Sequence, residues 1–280
     1  MEKAIHITKL KNLRYWKPVY ERLYWGSEFC ENLISGIKEA KKALEFTLNK
    51  GLDFTLVTPF VTEEGLKKLE GIFKWLKANR ISCEIAVNDW GVLKRLHSHY
   101  NGFFELALGR LLTRQDTNPS IRKIIEKQLP TAIKNKDGKI AIFVHRVPGK
   151  CYQSGIRASY INSKSVQDFL SQLGIKRIEL NNTVQGLNTE GVYFKKSLHV
   201  PYVNISTTRF CPMETKTQKI YRINVCKREC QRMYDKLRNR SISKVIYKRG
   251  NTTFYKNPVL PKKIYDLGID RIVYQCEIPF

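Results

Sequence analysis

Short apolar runs rich in β-branched residues alternate along this chain with amphipathic segments of helical length, and no other feature constrains the fold as much. Glu31 to Asn49 sets Leu33, Ile34, Ile37, Ala40, Leu44 and Leu48 at helical spacings, which predicts a helix with one apolar stripe and with Lys38, Lys41 and Lys42 largely off it. Gly51 supplies its stop. Phe54 to Phe60 has the uninterrupted apolar character of a strand covered on both faces, as parallel strands are. Thr62 then suits an N-cap, Glu63 and Glu64 occupy the first turn where the helix dipole favours anions, and Leu66, Leu69, Phe73 and Leu76 form the next stripe. Ser82 to Asp89 predicts a third strand, Trp90 to His97 a short helix, and Phe104 to Leu108 a further strand.

Repeated strand–helix units joined by right-handed crossovers either close into a barrel or open into a doubly wound sheet. The barrel is the better reading, because no glycine-rich GxGxxG turn follows the first candidate strand. A polar stretch over roughly residues 113–163, with Lys134-Asn-Lys-Asp-Gly-Lys139 before the strand-like Ile140 to His145, reads as an insertion over one end of the barrel. The rhythm resumes with a helix at Val166 to Leu173 and strands at Arg177 to Leu180 and Leu198 to Ile205. Residues 209–280 hold 17 Lys plus Arg against 6 Asp plus Glu, and 236–280 read as a basic C-terminal segment. The expectation is one α/β domain over 1–280, a TIM-type barrel, with the insertion and the basic segment attached.

With 280 residues, 42% of them apolar, the chain can bury a full core and is no disordered polymer. Its formal charge of +25 calls for an anionic partner or substrate. No apolar run nears the roughly 18–20 residues that cross a bilayer, and Met1 to Trp16 has no segment of signal-peptide type, so the expectation is a soluble cytoplasmic protein without membrane partners.

Seven cysteines, an odd number spread over a long chain, argue against a disulfide scaffold and for reduced thiols, some as metal ligands. Cys211 in Arg209-Phe-Cys-Pro212 precedes a C-x3-C pair, Cys226 and Cys230, in Asn224-Val-Cys-Lys-Arg-Glu-Cys230. Three thiolates need a fourth ligand, and Cys30 in Tyr24-Trp-Gly-Ser-Glu-Phe-Cys30 follows a candidate barrel strand, at the face where loops converge. Cys83 lies in mid-strand, and Cys151 and Cys276 have no partner at metal spacing. Spacing leaves an iron–sulfur cluster and zinc both open. The neighbouring Arg209, Lys227, Arg228 and Arg232 tilt the reading toward a cluster, whose four thiolates leave a net negative site.

In these residues the chain resembles the U32 family of collagenase-like peptidases, and in particular its iron–sulfur members that act in oxygen-independent hydroxylation in ubiquinone biosynthesis. The likeness lies in the order of the ligands: an early Cys after a strand ending in Gly, a distant second Cys, then a C-x3-C pair. Val87-Asn-Asp-Trp-Gly91 stands where the family has an Asp-x-Gly after its third strand, and Arg209-Phe-Cys211 matches the approach to the second Cys. The match spans most of residues 20–235. It implies an incomplete or distorted TIM-type barrel with a [4Fe–4S] cluster on Cys30, Cys211, Cys226 and Cys230 at its mouth; zinc remains the alternative that spacing leaves open. It also implies hydroxylation of an aromatic metabolite or an RNA base, and a second family member as partner subunit. The acidic-Phe-Val-His-Gly signature behind the peptidase annotation is absent; Leu198 to Ile205 occupies its place. Peptidase activity and a non-catalytic cluster-holding subunit remain the alternatives.

Four cysteines at every corner of a cubane leave no open iron, so any catalytic group must come from elsewhere. Candidates at the mouth are Glu28 and Asp89 as catalytic groups and Asn88, Arg110 and Arg209 as substrate-binding ones. Asp89 equally suits the N-cap of the helix starting at Trp90, and Arg110 a barrel-end ion pair. None of His6, His97, His99, His145 and His199 sits in a nucleophile motif. Lys236 to Arg240 and Tyr247 to Lys256 interleave cations with aromatics as RNA-binding surfaces do, although a merely solvated basic face has the same composition.

Overall fold

Eight strands, taken in chain order, close on themselves as a parallel barrel. The computed structural model describes residues 1–126, 130–144, 147–214, 226–239, 242 and 244–280. The first five barrel strands are β1 (Glu2–Ile7), β2 (Arg22–Trp25), β3 (Asp53–Thr58), β4 (Glu84–Val87) and β5 (Glu105–Leu108). An antiparallel hairpin, β6 (Pro130–Lys134) and β7 (Ile140–Val144), intervenes before β8 (Ile175–Asn181) and β9 (Lys195–Val200). A second sheet takes β10 (Tyr202–Thr207), β11 (Asp235–Leu237), β12 (Ile246–Arg249) and β13 (Thr252–Lys256), and β14 (Ile269–Gln275) returns to the barrel. The closed order is β1-β14-β9-β8-β5-β4-β3-β2, and the second sheet runs β10-β13-β12-β11. Helices α1 (Ile37–Asn49), α2 (Glu63–Ala78), α3 (Trp90–Tyr100), α4 (Arg110–Thr113), α5 (Ile121–Glu126), α6 (Lys150–Arg157) and α7 (Lys164–Gln172) make the connections.

Successive side chains of a strand face opposite ways, so each barrel strand has an outer and an inner row. Ile5, Ile7, Leu23, Trp25, Leu56, Ile85, Val87, Leu198 and Ile272 belong to the large outer core, packed with helix residues such as Leu69, Phe73 and Leu96. The inner row is different. One layer is apolar, formed by Ala4, Tyr24, Val57, Ala86, Ala107 and Val273. Near the strands' amino ends the lumen is ionic: Arg271 bridges Glu2 (2.6 Å) and Glu84 (2.6 Å), and Arg177 bridges Glu84 (3.3 Å) and Asp270 (2.5 Å). Buried charges persist only when paired, and here each arginine spans two carboxylates. The amino-end layer thus replaces the branched aliphatic filling usual in such barrels.

The predicted barrel is present and closed. The helix expected over Glu31–Asn49 starts at Ile37 instead; residues 31–33 form a 3-10 turn and extended Gly36 caps the helix. The strand expected over Leu198–Ile205 is two strands, because Pro201 has no N–H for a ladder. β9 stays in the barrel with β8 and β14, while β10 leaves it and pairs with β13. Residues 236–280 are not an appendage, since they supply most of β11, all of β12 and β13, and the barrel's last strand. Between β5 and β8 the insertion comprises α4, α5, the hairpin and α6, with Lys134–Lys139 as the hairpin turn and Gly138 at φ +78°. Of the residues singled out in the sequence, His145, Asn224, Val225 and Arg240 lie outside the described ones. Among the described residues, no helix is long and apolar enough to cross a membrane.

Candidate functional site at the barrel mouth

The strands' carboxyl ends open into a cavity of about 440 Å³ lined by Asn88, Asp89, Arg110, Arg114, Asn181, Asn204 and Arg209 together with Phe60 and Trp90. Each of the sequence's mouth candidates lies at or beside it. Asn88 is buried and holds two loops together, its Nδ2 donating to the Thr58 carbonyl (3.0 Å) and its Oδ1 accepting from the Leu111 amide (2.9 Å). Gly109 is glycine for this reason, since a Cβ there would overlap the Asn88 side chain. Asp89 caps α3, accepting from the amides of Gly91 (2.7 Å) and Val92 (3.1 Å), and also takes the Val61 amide (3.3 Å). Its carboxylate is therefore committed to the backbone. Arg209 stacks over the Phe60 ring at 5.5 Å.

Arg110 and Glu28 form a buried pair, both at or below 2% side-chain exposure. Nε donates to Glu28 Oε1 (2.9 Å), Nη2 to Oε2 (2.5 Å), and Nη1 to Asn181 Oδ1 (3.1 Å) and the Tyr202 carbonyl (2.9 Å). Burial pushes the Glu28 carboxyl up, but the charge and hydrogen bonds of Arg110 outweigh it and hold the group below the usual carboxylate value. Beside this pair lie two buried imidazoles. His6 Nε2 is 2.9 Å from the Gly26 carbonyl, and His199 Nε2 is 2.6 Å from Glu179 Oε2. Burial lowers the pKa of both; for His199, burial and then the Arg110 charge put it well below the ordinary imidazole value, so both rings are neutral near pH 7.

The four cysteines of the sequence quartet lie in one region, with Cys30 packed against the small core that holds Cys230. Burial raises the Cys30 thiol to about 12, and Cys230, Cys226 and Cys211 each push it further in that direction, so the four sulfurs lie within electrostatic reach. Cys230 is raised to about 11 by burial, then by Cys211 and Cys226, while Arg249 and Lys9 oppose the rise. Backbone N–H groups are directed at the sulfurs, that of Asn32 at Cys30 and those of Met213 and Glu214 at Cys211. Cys83 is buried just before β4, and Cys151 and Cys276 are exposed.

One turn gathers these segments. Between β12 and β13, Asn251 Nδ2 donates to the carbonyls of Phe29 (2.8 Å) and Thr208 (2.8 Å), tying the neighbour of Cys30 to the approach to Cys211. Arg249 donates to the carbonyls of Cys230 (2.7 Å) and Ile278 (2.9 Å). Phe29, Tyr202, Phe254, Ile278 and Phe280 pack with Cys230 as a small separate core. Sequence reasoning found neither Asn251 nor Arg249, whose roles depend on backbone carbonyls far away in sequence.

No protein-family model matches the chain, and no curated protein matches it. A solved structure does. The structure of the U32 peptidase Mk0906 is similar over 99% of this chain and 93% of its own, at 9% identity and a TM-score of 0.46. The closed barrel rests on its own strand pairing and needs no support from that likeness. The sequence singled out the cysteine quartet and Asn88, Asp89, Arg110 and Arg209 at the mouth but not Phe60, Arg114, Asn181 or Asn204 as site residues, and it counted His6 and His199 without a role; no local motif links them to Glu179 or Glu28.

Proposed function

We propose that this chain is an iron–sulfur protein of the oxygen-independent hydroxylation type, holding a [4Fe–4S] cluster on Cys30, Cys211, Cys226 and Cys230 beside a cavity that takes an anionic aromatic metabolite. The observation that carries the reading is the convergence of four thiols from three distant segments, with backbone N–H donors aimed at two of them. Thiols raised to about 12 and 11 stay protonated in metal-free protein, so a bound cation is what makes this donor set stable as thiolates. Hydrogen bonds to sulfur and the nearby Arg249 and Lys9 suit the net negative charge of a cluster. Among the described residues, the cysteines do not form a group whose donor atoms all lie within 4.8 Å of one another, the closeness that a lone tetrahedral zinc with bonds of about 2.3 Å imposes. When bound, a cluster with four cysteine ligands supplies one-electron transfer.

The chain's own residues account for substrate capture. Arg209 and Arg114 supply positive charge to the cavity, Phe60 and Trp90 supply ring faces, and Asn88 and Asp89 set the shape of its wall. The peptidase alternative draws no support from a nucleophile–base pair, since neither His6 nor His199 hydrogen-bonds a Ser or Cys among the described residues.

Anaerobic preparation with iron and sulfide analysis, absorption and EPR spectroscopy tests the cofactor. The expected result is about four irons per chain, and zinc in their place overturns it. Quenching of tryptophan fluorescence by an aromatic carboxylate tests the cavity; Arg209→Ala should weaken binding at least fivefold, and an unchanged affinity removes Arg209 from the site.

One further observation favours an RNA base as the substrate. Tyr202, Tyr247 and Tyr234 meet edge to face or tilted at 6.4 and 6.0 Å, with Lys256 over Tyr202 (5.1 Å) and Tyr247 (5.9 Å) and Lys236 over Tyr234 (5.8 Å). Tyr202 is buried in the small core, while the exposed Tyr234 with its interleaved lysines can stack a base and track phosphates. Retention of RNA that falls steeply with salt supports this reading, and no retention at low salt ends it.

A further inference from the structure

The lumen of the barrel holds a second constellation, separate from the cysteines. His6 on β1, Glu28 just after β2 and His199 on β9 are all buried, and each offers a ligand atom within 4.8 Å of the others. Their surroundings fix which atoms face inward. His6 Nε2 donates to the Gly26 carbonyl, leaving Nδ1 as a bare lone pair. Glu179 accepts from the Tyr24 hydroxyl through Oε1 (3.0 Å) and takes the Nε2–H of His199 through Oε2 (2.6 Å), which leaves that Nδ1 bare as well. Neither Nδ1 has a hydrogen-bond partner, although both are wholly buried. Glu28 contributes only acceptors; Arg110 engages each of its oxygens once, which leaves each a further lone pair.

Three buried ligand groups therefore lie within reach of one another, and the Arg110 cation beside them hydrogen-bonds Glu28 but neither Nδ1. Buried acceptors in that arrangement repel unless a cation lies among them. The Nε2–H groups fastened to a carbonyl and a carboxylate are the outer contacts that orient metal-ligating imidazoles and set their tautomer. From this juxtaposition we infer that His6, His199 and Glu28 form a binding site for a divalent first-row transition-metal ion, held by two neutral imidazole nitrogens and one carboxylate. Arg110 connects the two regions, since it pairs with Glu28 and also lines the mouth cavity. The site stands whether or not the cysteines bind a cluster, because it shares no ligand with them.

Cobalt(II) reports on it. The full-length chain, stripped of metal anaerobically, is titrated with Co²⁺ alone and followed by absorption. The expected result is one Co²⁺ per chain, beyond any that shows thiolate-to-cobalt charge transfer, with visible d–d bands and retained in Cys230→Ser. His6→Ala and His199→Ala should each weaken it at least tenfold, and Glu179→Gln, which removes no ligand atom, by about 10- to 100-fold. Circular dichroism checks folding of each variant; where a histidine variant is unfolded, the wild-type and Cys230→Ser spectra decide. The inference is overturned if wild-type protein binds no Co²⁺ beyond that carrying thiolate charge transfer, or if folded histidine variants bind it unchanged. Water alone in the space gives the first of these results.

Discussion

Arg110→Met isolates the ion pair under the barrel mouth. The substitution keeps an unbranched apolar stem and removes four hydrogen bonds, two of them to the Glu28 carboxylate, from a site where both side chains are at or below 2% exposure. Deleting one partner of a buried pair leaves the other charge uncompensated and costs about 3–5 kcal/mol, on the order of a hundred- to several-thousand-fold in the ratio of folded to unfolded protein. The sign of the pH dependence sharpens the test. In wild type Glu28 has a folded pKa below its unfolded value, so its contribution is full above the unfolded carboxylate range and is lost as pH falls through the lower folded value. With Arg110 gone, burial, the largest influence, is opposed only by His199 and His6 and raises the folded pKa above the unfolded one. The penalty is then present at neutral pH and shrinks as pH falls through the raised value, because Glu28 takes up a proton. Urea unfolding at about pH 7 and about pH 5 reads both effects. The double variant Arg110→Met/Glu28→Met should recover most of the loss, since a buried pair replaced by apolar groups of similar size is close to neutral. A single-variant loss under about 1 kcal/mol, or a deficit that does not change with pH, refutes the reasoning.

Asp89→Ala removes three acceptor contacts to the backbone and should cost about 1–2 kcal/mol in urea melts, with faster amide exchange in the first turn of α3; unchanged exchange at Gly91 and Val92 removes the cap. Asn251→Ala cuts the tie between the residues beside Cys30 and Cys211, so iron retained per chain after anaerobic gel filtration should fall at least twofold, and full retention shows that the turn does not gather the ligands. In metal-free protein at about pH 8, iodoacetamide should label exposed Cys151 well before Cys30 and Cys83, whose thiols burial pushes up to about 12 and which are therefore almost wholly protonated; comparable rates by mass spectrometry contradict that.

The strands that were legible in the sequence are those with aliphatic residues on both faces, such as Phe54 to Thr58 and Glu84 to Val87, since burial against helices outside and packing inside both favour apolar side chains. β1 and β14 escaped because their inner rows carry His6, Arg271 and Gln275, so their sequences read as mixed polar segments. The break at Pro201 was visible as a residue and invisible as a change of sheet, because nothing local says which partner takes over. The cysteine quartet was legible through spacing, whereas the triad of His6, Glu28 and His199 was not: its members come from β1, the loop after β2 and the distant β9, brought together only once the barrel closes.

That closure depends on one seam. β1 pairs along its length with β14, Glu2 opposite Arg271 and His6 opposite Gln275, so residues separated by nearly the whole polypeptide must meet before the ring is complete. During synthesis the first strand leaves the ribosome long before its second neighbour exists, and its unpaired amide edge stays open to strangers for that interval. Such a chain reaches its native state late and by a long-range step, after its two ends have been brought together.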